Sequence, residues 1–241
     1  SSLNLGLLHP SEVISAVEHA YRDGNAPINS VEGYIRQVLG WREYIWGLYW
    51  LWMPQYLQSN FFGADEPVPP VFLGEADTEM VCVETAMKHL TETGYTHHIE
   101  RLMVFGNLAL TAGIEPQAMM NWMWSSFVDG AEWVMTPNVL GMALYADGGA
   151  MSSKPYASGG AYLNRMSDSC RDCTFDPKKR VGDDACPYTT LYWDFLDRHQ
   201  DVLASNHRLS LQYGNLKRLP DLENIRIRAG EIRDRLRKGK L

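Results

Sequence analysis

Asp129-Gly130-Ala131-Glu132-Trp133-Val134-Met135-Thr136-Pro137-Asn138-Val139 is the stretch on which the reading of the fold turns. It predicts a short helix around 129–133, limited by Pro137, whose ring and missing N–H oppose helix continuation. Asp129 is its distinctive group. A buried carboxylate needs a compensating cation, and Arg101 on a helix further upstream is the candidate partner.

Working outward, helical periodicity dominates. Ser11 is expected to cap a helix reaching Arg22, with Val13, Ile14, Val17, Ala20 and Tyr21 on one face. Ser30 is expected to cap a longer one that Pro54 ends, with Tyr34, Ile35, Val38, Leu39, Ile45, Trp46 and Tyr49 inward. Asp77 or Thr78 opens a helix that stops at Gly94, and Thr96 opens another that ends near Gly113. Glu115-Pro116 begins the next, with proline in the first turn. Further helices are expected over 190–198 and 223–237. No alternating strand pattern or internal repeat stands out, so the expected class is all-α.

Downstream of the quoted stretch, over 145–188, the reading changes. Gly148, Gly149, Pro155, Gly159, Gly160 and Pro177 break any long element. A structureless stretch this long is usually functional or held by something. Three of the four cysteines lie in it. Two residues separate Cys170 from Cys173, twelve separate Cys173 from Cys186, and Cys82 stands apart upstream. Four thiolates suit a tetrahedral zinc or an iron–sulfur cluster, and the spacing fits both. Pro187, directly after the last cysteine, is a feature of ferredoxin-type ligand runs and tips the spacing toward a cluster. Two disulfides or four unrelated buried thiols are the bland readings.

The 241 residues, 45% of them apolar, suffice for one large domain or two small ones with a sizeable core. No apolar run approaches the roughly eighteen residues of a membrane helix. With no signal peptide visible, the expected location is the cytoplasm, where clustered cysteines more often bind metal than pair as disulfides. The chain opens on Leu3-Asn4-Leu5-Gly6-Leu7-Leu8 without a methionine or capping region, and reads as part of something longer. A net charge of −7 argues against a general nucleic-acid binder. Positive charge is local, at Lys178-Lys179-Arg180 and over 226–240, where a solvated face is the commoner explanation.

A further constellation is Tyr95-Thr96-His97-His98-Ile99-Glu100-Arg101. On a helix His97 and Arg101 share a face, and His98 neighbours Leu102. Adjacent histidines point about 100° apart, so at most one faces a given pocket. His98 is a candidate general acid because its ordinary pKa lies near neutrality. The bland alternative is a surface pair at a helix start.

These residues together resemble the C-terminal, flavin-binding helical domain of the iron–sulfur bacterial cryptochromes and photolyases. Gly40-Trp41-Arg42-Glu43-Tyr44 is similar to the Trp-Arg-Glu-aromatic motif of photolyases, and His97-His98-x-x-Arg101 to the paired histidines of the (6-4) group. The most specific match runs from Glu132 to Val139 and on through Ala146-Asp147-Gly148-Gly149, Lys154-Pro155-Tyr156 and Asn164-Arg165-Met166-Ser167-Asp168. The cysteine quartet is the fourth piece. The resemblance covers nearly the whole chain.

It implies a photolyase/cryptochrome-type helical FAD-binding domain over 1–241, with a 4Fe-4S cluster on Cys82, Cys170, Cys173 and Cys186 stapling the Gly-rich segment 145–188. Arg101 and Asp129 would form the ion pair beside the flavin, and His98, with His97 beside it, would hydrogen-bond or protonate the lesion. Trp41, Glu43 and Asn138 would belong to the flavin site, and Ser2 to the end of its phosphate-binding segment. Met135, six residues after Asp129, stands where ordinary photolyases place an asparagine against the flavin, and a thioether accepts hydrogen bonds poorly. The second active-site histidine of the animal enzymes is Leu102 here. The usual electron-donating tryptophan, ten residues after Asp129, is Val139, which leaves Trp122 as the candidate first donor. The N-terminal α/β antenna domain of photolyases is absent from these residues.

The implied function is light-driven repair of a (6-4) pyrimidine photoproduct flipped from UV-damaged DNA, as a deoxyribodipyrimidine photolyase-type lyase. A blue-light photoreceptor with the same chromophore is the second reading. A flavin-free iron–sulfur nucleic-acid-binding module, similar to the large subunit of primases, is the third, and an absorption spectrum separates it from the others. A monomer without membrane contact is expected, completed by an antenna domain or chain.

Overall fold

The computed structural model describes residues 2–241. Twelve α-helices follow in order: α1 (Pro10–Arg22), α2 (Ile28–Ile35), α3 (Arg42–Trp52), α4 (Val81–Thr93), α5 (Asn107–Ala112), α6 (Pro116–Ser126), α7 (Glu132–Thr136), α8 (Gly160–Met166), α9 (Pro187–Arg198), α10 (Gln200–Leu203), α11 (Ser210–Leu216) and α12 (Leu222–Arg237). Among the described residues no strand forms beyond two isolated bridges, Glu66 with Ile114 and Asp176 with Ala185. The all-α expectation therefore holds.

Three stretches widen to π-helix: Arg36–Trp41, Glu100–Gly106 and Pro137–Ala143. Each is continuous with an α-helix, so α2 and α3 form one long rod, and the second stretch runs straight into α5. The third corrects the reading of Pro137. The helix starts at Glu132, after Asp129 and Gly130, and passes through Pro137 to Ala143. Proline cannot donate to a carbonyl one turn back, and the wider π turn accommodates that missing bond.

Several ends differ from expectation because a neighbouring residue caps better. His9, not Ser11, caps α1: its ring accepts from the Ser11 N–H while Glu12 accepts from the His9 N–H, and Pro10 takes the first turn. The rod begins at Ile28 rather than Ser30, and α4 begins at Val81 rather than near Thr78, whose hydroxyl instead accepts from the Met80 N–H. Gly94 and Gly113 end their helices left-handed, with φ of 65° and 89°, as the sequence led one to expect. Glu115 caps α6 through the Gln117 and Ala118 N–H groups.

The core centres on α5 and α9, whose Leu108, Ala109, Tyr188, Leu191 and Phe195 are wholly buried. The N-terminal helices contribute less than their patterns suggest. Helix α1 buries no residue, and Tyr34, Leu39 and Trp46 of the rod are exposed while Val38, Ile45 and Leu48 are buried. The π turn between them rotates the apolar stripe out of 3.6 register.

The segment 145–188 is more ordered than its glycines imply. It contains α8 and the buried Leu163 and Phe175. Asn107, wholly buried, pins it by donating to the Ser158 carbonyl (2.9 Å) and accepting the Ser158 N–H (3.0 Å). Thr189 accepts the Gly160 N–H and donates to the Pro177 carbonyl.

The basic helix α12 is a clamp and not a free cationic face. Arg233 shares the buried Asp194 with Arg198, at 2.6 and 2.7 Å. Arg226 reaches Asp197, Arg235 reaches Glu79 and Arg237 reaches Glu66. No helix among the described residues is long and apolar enough to cross a membrane.

Candidate functional site

All three π stretches face one cavity of about 280 Å³. The first contributes Gln37 and Trp41, the second Arg101 and Leu102, and the third Asn138, Val139, Met142 and Ala143. An extra residue per turn turns side chains out of the helical stripe, which is how π turns come to line functional sites. The second and third stretches touch at Gly106. A Cβ there would lie 2.9 Å from the Ala143 Cβ and 3.1 Å from the Arg101 carbonyl oxygen, so glycine sets the closeness of the two walls.

Arg101 organises one wall. Its Nη1 and Nη2 donate to the two Asp129 carboxylate oxygens at 2.9 and 3.3 Å, and its Nε donates to the Thr96 carbonyl at 3.0 Å. The guanidinium lies over the rings of both Tyr95 (4.8 Å) and Phe127 (4.1 Å). Asp129 is only 6% exposed. The pair is thus compensated by two-pronged hydrogen bonding and by the two aromatic rings against the guanidinium. Gly130 lets the chain turn tightly here, since a Cβ would meet the Trp124 carbonyl oxygen at 2.3 Å.

His98 lines the cavity mouth, crowded on one side and open to solvent on the other. Burial lowers its pKa from the ordinary value, and the charge of Arg101 and the proximity of His97 lower it further. His97 points elsewhere; its Nδ1 accepts from the Ile99 N–H. Met135 (4% exposed) and Asn138 line the same cavity, Asn138 tied by its amide to the Val134 carbonyl.

Besides His97, three expected site residues lie outside this wall. Glu43 is exposed and pairs with Arg42. Trp122 is a core aromatic, stacked on Phe72 at 4.9 Å and donating to the Phe72 carbonyl; its neighbour Met123 faces the cavity. The Ser2 carbonyl accepts the N–H groups of Leu7 and Leu8, and Asn4 in that turn reaches the cavity. Asn4, Gln37, Tyr95 and Met123 were not singled out by sequence. Tyr95 was visible beside the histidines, whereas Gln37 depends on a π turn that has no sequence signature.

The four cysteines converge from distant positions. Cys82 sits in the first turn of α4, Cys186 immediately before α9, Cys170 in the 3₁₀ turn Ser169–Arg171, and Cys173 just beyond. None is in a disulfide. Burial raises the pKa of the Cys82 and Cys186 thiols, that of Cys186 to about 11, and the other cysteines add to the rise. Gly160 makes room: its Cβ would be 2.8 Å from the Cys186 sulfur. Among the described residues no three His, Cys, Asp or Glu side chains close tightly enough around one point to hold a single metal ion.

The chain is 50% identical over 219 residues to a (6-4) photolyase of Agrobacterium fabrum. The chain belongs to the photolyase/cryptochrome family. The matched region is 91% of this chain and 43% of the Agrobacterium protein's length, so the chain spans less than half of that relative. A second similarity, 27% identity over 116 residues, is to an uncharacterised protein of Acanthamoeba polyphaga mimivirus; it covers 48% of this chain and 87% of that protein. No family model matches the chain.

For a photolyase-type domain the cavity is the place to test for a flavin. About 280 Å³ is at the lower end of ligand pockets, enough for a heteroaromatic ring system and too small for a whole dinucleotide. Its walls are apolar at Leu102, Val139 and Met142, and carry hydrogen-bonding groups at Asn4, Gln37, Tyr95, His98, Arg101, Asp129 and Asn138. That mixture fits a planar ring with a polar edge.

Proposed function

We propose that this chain is the FAD-binding catalytic domain of a light-driven DNA repair enzyme, a photolyase-type lyase acting on a (6-4) pyrimidine photoproduct. The observation that carries the reading is the compensated Arg101–Asp129 pair in the wall of a ring-sized cavity, with His98 at its mouth. Bound FAD would supply a light-driven electron that is lent to the lesion and returned.

The chain's own residues do the rest. Arg101 and Asp129 present a fixed dipole to the polar edge of the ring, and need no reorganisation because their partners are already in place. Leu102, Val139 and Met142 keep water from it. His98, at the entrance, would meet a base flipped out of the duplex and hold a proton on an imidazole nitrogen for transfer to it. The depressed His98 pKa favours the neutral ring; an incoming phosphodiester would favour protonation and so arm the donor on binding.

A 4Fe-4S cluster on Cys82, Cys170, Cys173 and Cys186 is part of the same proposal. Cys186 is buried and the other three cysteines are half-buried; four thiols with no histidine among them suit a cluster, and Pro187 directly after the last one favours it over zinc. It would hold segment 145–188 against α4 and α9.

Met135 favours a second reading, a blue-light photoreceptor, because a thioether in the cavity wall is a weak partner for a flavin nitrogen. Repair of a duplex carrying one defined (6-4) lesion, under blue light with reduced FAD, decides. Loss of repair in His98→Ala with FAD binding retained supports the enzyme reading; undiminished repair in that variant overturns the role of His98.

A further inference from the structure

A second cavity, of about 160 Å³, shares no lining residue with the first. One wall is the loop over 60–66, where the Asn60 side chain closes onto the Ala64 backbone with two hydrogen bonds of 2.8 and 2.9 Å. Leu110, Ala112, Ile114, Leu144 and Ala146 make the rest largely apolar. Arg198 and His199, at the end of α9, and Arg233 of α12 also line it. The charges around this space do not balance. Arg198 and Arg233 donate to the same oxygen, Oδ2 of Asp194, at 2.7 and 2.6 Å. Asp194 is 2% exposed, so two guanidiniums are held against one buried carboxylate. Glu66 lines the cavity too, but Arg237 already holds both its oxygens at 2.8–3.1 Å. Asp65 is exposed to solvent and makes no ion pair among the described residues. One positive charge is left over beside apolar walls, where water screens it least.

Hydrogen-bond donors are left over as well. Arg233 uses only Nη1 among the described residues, which leaves Nε and Nη2. Arg198 commits Nε to Asp194 and Nη2 to the Thr111 carbonyl, and its Nη1 lies 3.3 Å from Nε2 of His199. A guanidinium can only donate, so Nε2 accepts and a neutral His199 carries its proton on Nδ1. Burial and the charge of Arg198 lower the His199 pKa to about 4, which keeps the ring neutral near neutral pH. Phe62 and Phe195 hold that ring at 4.3 and 4.9 Å. We propose that this cavity binds a small free oxyanion of the phosphate class, held by Arg233 and Arg198 with His199 beside them. Several oxygens on one ion match the leftover N–H groups of two planar forks. The volume is about half of the ~300 Å³ at which ligand pockets usually begin, so it admits an ion with a few waters and not a nucleotide. The bound ion completes the clamp between α9 and α12, because it neutralises the charge that Asp194 leaves uncompensated.

The test is calorimetric titration of the full chain with sodium phosphate, the ionic strength being held constant with sodium chloride. One phosphate per chain should bind saturably. Arg233→Gln should weaken binding at least about tenfold, as expected for the loss of one charge-assisted hydrogen bond. Arg226→Gln, on the same helix but paired at the surface with Asp197, should leave the affinity within about twofold. Absence of saturable binding by the wild type overturns the site. So does an equal loss in the two variants, which would mean general attraction to a basic helix. If Arg233→Gln does not fold, phenylglyoxal labelling of the wild-type protein takes its place. Phosphate should then slow the modification of Arg233 and not that of Arg226; equal Arg233 rates with and without phosphate overturn the proposal. A short, lesion-free single strand of DNA should not displace the phosphate. Displacement would assign the site to a backbone phosphodiester and overturn the free ion as its occupant.

Discussion

Arg101 and Asp129, 28 residues apart in sequence, meet edge to edge in the wall of the cavity, both nearly buried and joined by two hydrogen bonds. Neither charge is tolerable there alone. Asp129→Ala should cost about 3–5 kcal/mol of stability, because it strands a buried guanidinium. Arg101→Ala should cost a similar amount. The double variant should lose clearly less than the sum. Denaturant unfolding of the four proteins checks this, and strict additivity would mean that the pair is not coupled.

His98 ties stability to pH. Its folded pKa lies below the ordinary 6.5, so the unfolded chain takes up a proton first as pH falls. The group's contribution is intact above the ordinary value and declines as pH drops below it toward the folded pKa. His98→Gln should flatten the stability profile in that acidic window and change little above it. An NMR titration placing the His98 pKa at or above 6.5 would contradict the argument.

Gly106→Ala should disturb the cavity rather than the far core. The new methyl group meets Ala143 and the Arg101 carbonyl, so one π wall must shift. Overpacking of this kind costs about 1–3 kcal/mol. A loss of flavin affinity should accompany the loss of stability. Unchanged affinity in a destabilised variant would show that the walls need not touch.

The arginines of α12 should be unequal. Asp194, 2% exposed, holds both Arg198 and Arg233, so Asp194→Ala should destabilise by about 3–5 kcal/mol. Arg226 pairs at the surface, and Arg226→Ala should be barely detectable in the same unfolding experiment. Comparable losses in the two variants would remove the distinction between clamp and surface pair.

These contrasts mark what the sequence could carry. Caps and stops were legible where one residue decides them, as at Gly94, Gly113 and Glu115. Charge compensation offered Arg101 and Asp129 only as candidates, the resemblance implied their pairing, and the structure joins them. The π turns were not, since a single extra residue per turn leaves no compositional trace, and they misdirected the inward faces of Tyr34, Leu39 and Trp46 and the role of Pro137. The pairing of α12 with Asp194, Asp197, Glu79 and Glu66 was hidden too, because each partner is set by tertiary packing and not by helical spacing.

FAD binding by the purified chain tests the central claim most directly. Titration of the apoprotein with FAD, followed by flavin absorption and fluorescence, should show saturable binding, one FAD per chain, that Asp129→Ala and Arg101→Ala each weaken. No binding by the folded wild-type chain, or binding that both variants leave intact, would contradict the assignment of this cavity to the flavin.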